Sequence, residues 1–278
     1  MDQNKLTFLQ KNTYEMRRLA LNMGKSNKLG AHFGAGLSAM EIFSCLYGGV
    51  MNCKPEHSVK ERDILIVGKG HCVLAYYAAL AVYGFIEYSL LDEFDKDGSL
   101  LQGHPMLNES IGIEFSSGSL GLALSQGVGV ALSRKRKRRD SRVYVLLGDG
   151  ECQEGAVWEA AMSASHFRLD NLTVIVDRNQ LQYDGDTERV MALGAFEEKW
   201  KSFGFHTCEV DGHVIENLYP ALEKGKANQS GMPLCVIANT VKGKGVSFME
   251  GNKAWHNHRL SDKEYLIALK ELEERYGM

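Results

Sequence analysis

The sequence contains four prolines, no Cys-x-x-Cys pair, no internal repeat and no long apolar run. Each absence excludes a class of protein. Without repeats it is not a solenoid or propeller, and so few prolines leave no Pro-rich linker. The cysteines, Cys45, Cys53, Cys72, Cys152, Cys208 and Cys235, sit mostly in apolar helical or strand contexts. They read as reduced core thiols of a cytoplasmic protein, not as a disulfide framework. No apolar stretch approaches the roughly 20 residues that span a bilayer, and the N-terminus reads as a polar helix instead of a signal peptide. A formal net charge of −3 gives no excess of either sign to attract nucleic acid or a membrane surface. No strand is followed by Gly-x-Gly-x-x-Gly, which argues against a nucleotide-binding α/β domain.

What is present is a chain of 278 residues, 44% hydrophobic and 24% charged, long enough for one large α/β domain or two small ones. Short β-branched and apolar runs recur at Arg62–Val67, Arg142–Leu147, Leu172–Val176, His206–Val210 and Leu234–Ala238. Helical patterns lie between them, which predicts a central, mostly parallel sheet of about five strands flanked by helices. The reading is a single domain over residues 1–278, with an N-terminal helical segment at 1–60 and a C-terminal loop and helix at 239–278. Helices are expected over Lys5–Met23, ending at Gly24, over Phe196–Phe203, Val214–Lys226 and Asp262–Tyr276, and as a short acidic helix with a solvated face over Glu87–Asp95. Ser38 is placed to cap the next helix. The basic run Arg134–Arg139 falls where a helix ends and reads as a solvated turn.

The chain is organised around residues 148–181. The apolar run Arg142–Leu147 ends in Gly148-Asp149-Gly150, a helical pattern follows with Ala156, Val157, Ala160, Ala161 and Ala164 on one face, and a second run ends at Asp177-Arg178-Asn179. Asp149 and Asn179 are separated by about 30 residues, the length of one βαβ crossover, so both reach the carboxyl edge of a parallel sheet, where open α/β folds bind ligands. A carboxylate, an amide oxygen and backbone carbonyls suit a hard cation, Mg2+ or Ca2+, of the kind that holds a diphosphate. Taken alone, Gly-Asp-Gly is equally an ordinary turn.

Other glycine-rich segments fall where ligands bind in such folds. Leu29–Gly36 surrounds His32 with glycines, which leaves backbone open to a ligand. Gly68-Lys69-Gly70-His71 follows a strand, so His71 belongs at the same sheet edge. Gly98–Gly118 is long and irregular, as functional or mobile loops are, and contains Gly103-His104-Pro105. Ser116–Gly121 then opens a helix, and its bare N–H groups suit a phosphate as well as they suit close helix packing. Gln182–Gly194 is a polar loop over the site. Asn239–Gly245 leaves the last strand and is followed by Trp255, His256 and His258. By itself His32 reads as an ordinary loop histidine, and His57, His166, His206 and His213 have no such context.

Gly-Asp-Gly-Glu-Cys-Gln-Glu-Gly followed by Asp-Arg-Asn-Gln-Leu-Gln resembles the thiamine diphosphate motif in the form transketolases carry. The resemblance runs from about residue 10 to residue 260 and includes Ala31-His32-Phe33-Gly34, Gly-His71, Gly-His104-Pro, Gly-Ser119-Leu120-Gly, Lys-Gly-Lys-Gly and Trp-His256, in family order. The family has proline at Phe33, asparagine at Lys69 and proline at Ser119. The resemblance implies that Asp149, Asn179 and the carbonyl of Leu181 hold Mg2+, with Ca2+ or Mn2+ as substitutes. It implies cofactor contacts from His71, Gly118, Ser119, Leu120, Gly150, Glu151, Asn179 and His256. His32, His104 and His256 would face the sugar, and Glu154 would contact a second copy of the chain.

A full-length transketolase is about twice this size, so the chain resembles the N-terminal, diphosphate-binding subunit of a split enzyme. The resemblance implies ketol transfer from a ketose to an aldose, through thiamine diphosphate. The partner would be a C-terminal subunit carrying the aminopyrimidine-binding domain and the activating glutamate. Three readings compete with this. One is a subunit of another thiamine diphosphate enzyme, a deoxyxylulose-phosphate synthase or a 2-oxoacid dehydrogenase. Another is a non-catalytic diphosphate-binding assembly subunit, and the third is the nucleotide-binding domain argued against above. The identity of the sugar is not encoded here, because the groups that recognise a distal phosphate lie largely in the missing half.

Overall fold

The computed structural model describes residues 1–277. Five strands, β1 (Ile64–Val67), β2 (Val143–Gly148), β3 (Leu172–Arg178), β4 (His206–Asp211) and β5 (Leu234–Asn239), form one parallel sheet in the order β1-β2-β3-β5-β4. The register sets Val145 beside Val174 and Ile175 beside Val236. Every expected strand is present, with ends shifted by one or two residues. The signal is strong because β1, β2, β3 and β5 are covered on both faces and so are each built around a short apolar run.

The two-residue period of the strands divides the core. Leu65, Val67, Tyr144, Leu146, Ile175 and Val236 point to one face. There they meet α1 (Gln3–Ser26), α2 (Phe33–Ser38), α3 (Met40–Cys45) and α4 (Val73–Val82). Ile64, Ile66, Val145, Val174, Val176 and Ile237 point to the other face, against α5 (Ala123–Arg136) and α6 (Gly155–His166). A short α7 (Thr187–Val190) interrupts the expected polar loop. α8 (Phe196–Ser202) brings Trp200 to the second face, while α9 (Ile215–Ala227) and α10 (Asp262–Tyr276) close the first. Each fully buried aliphatic or aromatic side chain contributes about 1.5–3 kcal/mol. The described residues include no helix long and apolar enough to cross a membrane.

Several local expectations are corrected. α1 runs past Gly24 to Ser26, because Gly24 gives the Phe33 ring room that any Cβ would take. Residues 33–36 are helical and buried, and their glycines admit protein, not a ligand: Gly34 lies under the Lys242 stem and Gly36 under Leu74. Ser38 ends α2 and caps nothing. Its hydroxyl donates to the Asp177 carboxylate at 2.6 Å. Glu87–Asp95 forms a 3-10 turn over Tyr88–Glu93, and Asp95 is bonded to the protein instead of solvated. In the basic run, Arg134 is buried and donates to the carbonyls of Val59 and Arg62 and to the Ser141 hydroxyl, while Lys135 pairs with Asp170 at 2.6 Å. Glu154 precedes α6 instead of sitting in its first turn. The described cysteines are all unpaired, and all but Cys208 are buried.

One buried hub fixes the first helices against the loop after β5. Arg17 pairs with Glu41 at 2.8 Å and donates to the carbonyls of Leu37 and Lys244 and to the Tyr276 hydroxyl. His213 sits 3.0 Å from Glu41 through Nδ1, and its Nε2 accepts from the Val241 amide at 2.8 Å. Burial opposes the Glu41 charge, but Arg17 and His213 outweigh it and hold the carboxyl down at about 2.

Candidate active site

The strand ends converge on one cleft of about 340 Å³ at the carboxyl edge of the sheet. Lys69 and His71 arrive after β1, Asp149–Glu151 after β2, Asn179–Tyr183 after β3 and Lys242 after β5, with His32, His104 and His256 on loops above.

One wall carries oxygen. Asp149 Oδ1 accepts from the Gly150 amide at 2.9 Å and Oδ2 from the Gln180 amide at 2.7 Å, so its carboxylate is fixed across the β2–β3 gap. Asn179 Oδ1 accepts from the Leu181 amide at 3.1 Å. Gln180 takes a left-handed φ of 63°, which turns the chain sharply after β3. The Leu181 carbonyl accepts from Lys242 Nζ at 2.8 Å. Burial, then the charge of Asp177, raises the Asp149 pKa above the ordinary aspartate value. A carboxylate, an amide oxygen and a carbonyl that already holds one cation make a donor set that fits a divalent metal.

Beside these oxygens the cleft is lined with imidazole. The His32 ring centroid lies 5.5 Å from His71, 5.9 Å from His104 and 5.4 Å from His256, and His71 stacks on His256 at 5.2 Å. Burial, then His104 and Lys242, lowers the His32 pKa to about 4, and burial with Lys242 lowers that of His256 to about 3. Burial and Lys69 push His71 well below the ordinary value. These three rings are therefore neutral at neutral pH and can both donate and accept. Lys242 donates to His256 Nδ1 at 2.9 Å, which leaves the proton of that ring on Nε2.

Two lysines and an aspartate beneath the cleft escaped the sequence reading. Lys69 pairs with Asp177, and Asp177 also accepts from the hydroxyls of Ser38 and Thr240. Burial opposes both charges, but their attraction prevails, raising the Lys69 pKa and lowering that of Asp177. Burial, then Lys69, lowers the Lys242 pKa to about 8. The signal that could have found them is a lysine and an aspartate at the inner ends of apolar strands, where charge is costly unless paired. Tyr183 was also passed over in its polar loop, and its ring meets His256 edge-on at 5.3 Å.

Of the residues singled out from sequence, His32, His71, His104, Gly118, Leu120, Asp149, Gly150, Glu151, Glu154, Asn179, Leu181 and His256 line this cleft. Ser119 lies in the groove beside it, with Gly68, Ser116 and Ser117. Glu151 is buried and accepts from the amides of Gly121 and Gly148, at 3.0 and 3.1 Å, which ties the Gly-Ser-Leu-Gly segment to the Gly-Asp-Gly turn. Burial raises its pKa to about 7. Glu154 is exposed and makes no cap bond to α6. His258 stays outside the cleft, but its backbone pairs with Ala31 and so fixes the chain next to His32.

The family model described as transketolase, thiamine diphosphate binding domain, matches residues 10–278. The chain is 39% identical over 268 residues to the 6-deoxy-6-sulfo-D-fructose transketolase subunit of a Clostridium species, covering 96% of each chain. It is 39% identical over 267 residues to one subunit of the apulose-4-phosphate transketolase of Actinobacillus succinogenes, again covering 96% of each. The crystal structure of transketolase from Campylobacter jejuni superposes with a TM-score of 0.86 at 26% identity, covering 100% of this chain and 43% of that one.

Proposed function

Because this chain belongs to the transketolase family, we propose that it is the diphosphate-binding subunit of a two-chain transketolase, built as one domain over residues 1–278. It moves a two-carbon ketol unit from a ketose to an aldose and works only with a second chain that carries the aminopyrimidine-binding domain. The observation that carries this is the cleft itself, lined with oxygen donors and neutral imidazoles side by side.

Asp149, Asn179 and the Leu181 carbonyl would hold Mg2+, or Ca2+ or Mn2+ in its place. His71, Gly118, Leu120, Gly150, Lys69 and Lys242 would line the cofactor, with Glu151 fixing the turn between them and Ser119 set beside it. Thiamine diphosphate, when bound, supplies the acidic thiazolium carbon and the electron sink for C–C cleavage. The chain's own residues bind and orient. Lys242, whose ammonium now donates to the Leu181 carbonyl, would supply positive charge for the diphosphate. His32, His104 and His256 face the sugar hydroxyls; His256 donates from Nε2 because Lys242 holds its Nδ1, and His32, a neutral ring, both donates and accepts and so carries a proton between those oxygens. The substrates are sugar phosphates or their close anionic analogues, the class to which the substrates of both subunit relatives belong by name. The assembly holds two copies of each chain, with Glu154 at the contact between copies of this one. Six free cysteines fit the reducing cytoplasm.

A coupled assay for ketol transfer tests the reading, comparing the chain alone with its mixture with the complementary subunit. Activity is expected only from the mixture and only with thiamine diphosphate and Mg2+. Full activity from the isolated chain refutes the two-chain reading.

A further inference from the structure

Two of the cleft histidines stand on loops that share no strand and no helix. His32 follows the end of α1, and His104 lies in the irregular stretch before α5. Their rings nonetheless sit at a centroid distance of 5.9 Å. One side-chain pair joins the two loops. Asn27, buried at the C-terminus of α1, donates from Nδ2 to Asp95 Oδ2 at 2.8 Å. The other oxygen of each side chain holds its own histidine loop. Asp95 Oδ1 accepts from the Gly103 amide at 2.9 Å, one residue before His104. Asn27 Oδ1 accepts from the Leu29 amide at 3.0 Å, and the Asn27 carbonyl accepts from Gly30, two residues before His32. The Asp95 amide donates to the Leu101 carbonyl at 2.7 Å, closing the turn that carries Gly103.

We propose that the Asn27–Asp95 bridge is the positioning device that sets the separation of His32 and His104, and through it the grip on the substrate. The catalytic part of this proposal rests on the function argued above, and the geometric part does not. The residue types follow from the geometry. Asp95 has a φ of 56°, a left-handed conformation that aspartate and asparagine tolerate better than most residues. Position 95 must also offer two acceptors, one to Gly103 and one to Asn27. Position 27 must offer one donor and one acceptor. Only a carboxylate at one position and an amide at the other satisfy all four atoms.

That polarity can be reversed. In D95N, one oxygen still accepts from Gly103, but the new amide faces the Asn27 amide, donor against donor. If Asn27 flips to accept, its nitrogen then faces the Leu29 amide. In N27D, two carboxylates oppose each other. The double variant N27D/D95N restores every bond. The carboxylate introduced at position 27 accepts from Leu29 and from the side-chain amide introduced at position 95, whose oxygen accepts from Gly103.

The test has two arms. In the chain alone, labelled on the histidine rings with carbon-13, the His32 and His104 resonances are assigned from H32N and H104N. Each single variant moves both resonances together, and the double variant returns them toward wild type. In the assembled enzyme, each single variant lowers kcat/KM for the ketose by about tenfold, mostly in KM, and the double variant recovers to within about twofold. Thermal melting monitors the fold of all three. Unmoved ring signals in folded D95N and N27D overturn the proposal, as does a double variant no better than the worse single one. Should wild type show no ketol transfer, the function fails and the ring signals still decide the bridge.

Discussion

Lys69 and Asp177 pair on the floor of the cleft with side chains 1% and 0% exposed, yet they are not equally dependent on each other. Asp177 also accepts two hydroxyls, from Ser38 and Thr240. Lys69 has otherwise only long contacts, to the Ala35 carbonyl at 3.2 Å and the Ser38 hydroxyl at 3.4 Å. Losing one partner of a buried pair costs about 3–5 kcal/mol. D177A should reach that range in urea unfolding and K69M should fall below it, because the aspartate keeps its hydroxyl donors. Equal losses would show that those hydroxyls contribute nothing.

Asp149 is held by two backbone amides and belongs to no apolar cluster. D149A should therefore leave the melting temperature within a few degrees of wild type. It should also weaken Mg2+-dependent binding of thiamine diphosphate at least about a hundredfold in calorimetry of the assembled enzyme, since a charged ligand of a divalent ion is lost. Unchanged cofactor affinity removes the metal assignment.

The neutral histidines make stability depend on pH in a stated direction. His32 has a folded pKa of about 4 against an ordinary value of 6.5. Above pH 6.5 neither state holds the extra proton. As pH falls from 6.5 toward about 4, the unfolded chain takes one that the folded chain refuses, so stability falls. His256, at about 3, extends the same slope downward. H32N should flatten the acid limb of unfolding free energy against pH. A slope identical to wild type shows that His32 titrates alike in both states.

Glu154 is exposed at the start of α6, and the Gly121 backbone packs near its stem. If it lies between two copies of the chain, E154Q should change the association constant measured by light scattering while leaving the melting temperature of the dilute chain unchanged. A strict monomer with E154Q unaltered reduces Glu154 to the residue before a helix.

The sheet was legible because a strand covered on both faces carries an unbroken apolar run, and β1, β2, β3 and β5 each hold one. The ligand wall was legible because Asp149 and Asn179 follow two such strands. What escaped depends on partners far along the chain. Ser38 reads as a cap until Asp177 is brought to it across 139 residues. Gly34 reads as open backbone until the Lys242 stem is laid over it. Arg134 reads as solvated until the carbonyls of Val59 and Arg62 close around it. Lys69 reads as a replacement for asparagine, and only its burial beside Asp177 shows that it carries a charge into the core.

The strand order has a consequence for the moment of synthesis. β4 is made before β5, yet β5 is its only neighbour in the sheet and lies between it and β3. A nascent chain that has emerged as far as residue 233 therefore carries β4 without its neighbour in the sheet. Its side chains are exposed or half-buried, and none is fully buried, so the waiting strand offers little apolar surface to a neighbouring ribosome's product. Lys242 and His256 emerge later still. The cleft thus cannot be assembled piecemeal as the polypeptide leaves the ribosome. A truncated product ending before residue 234 should be recognised by chaperones and proteases as unfinished, and it should bind no diphosphate on the way.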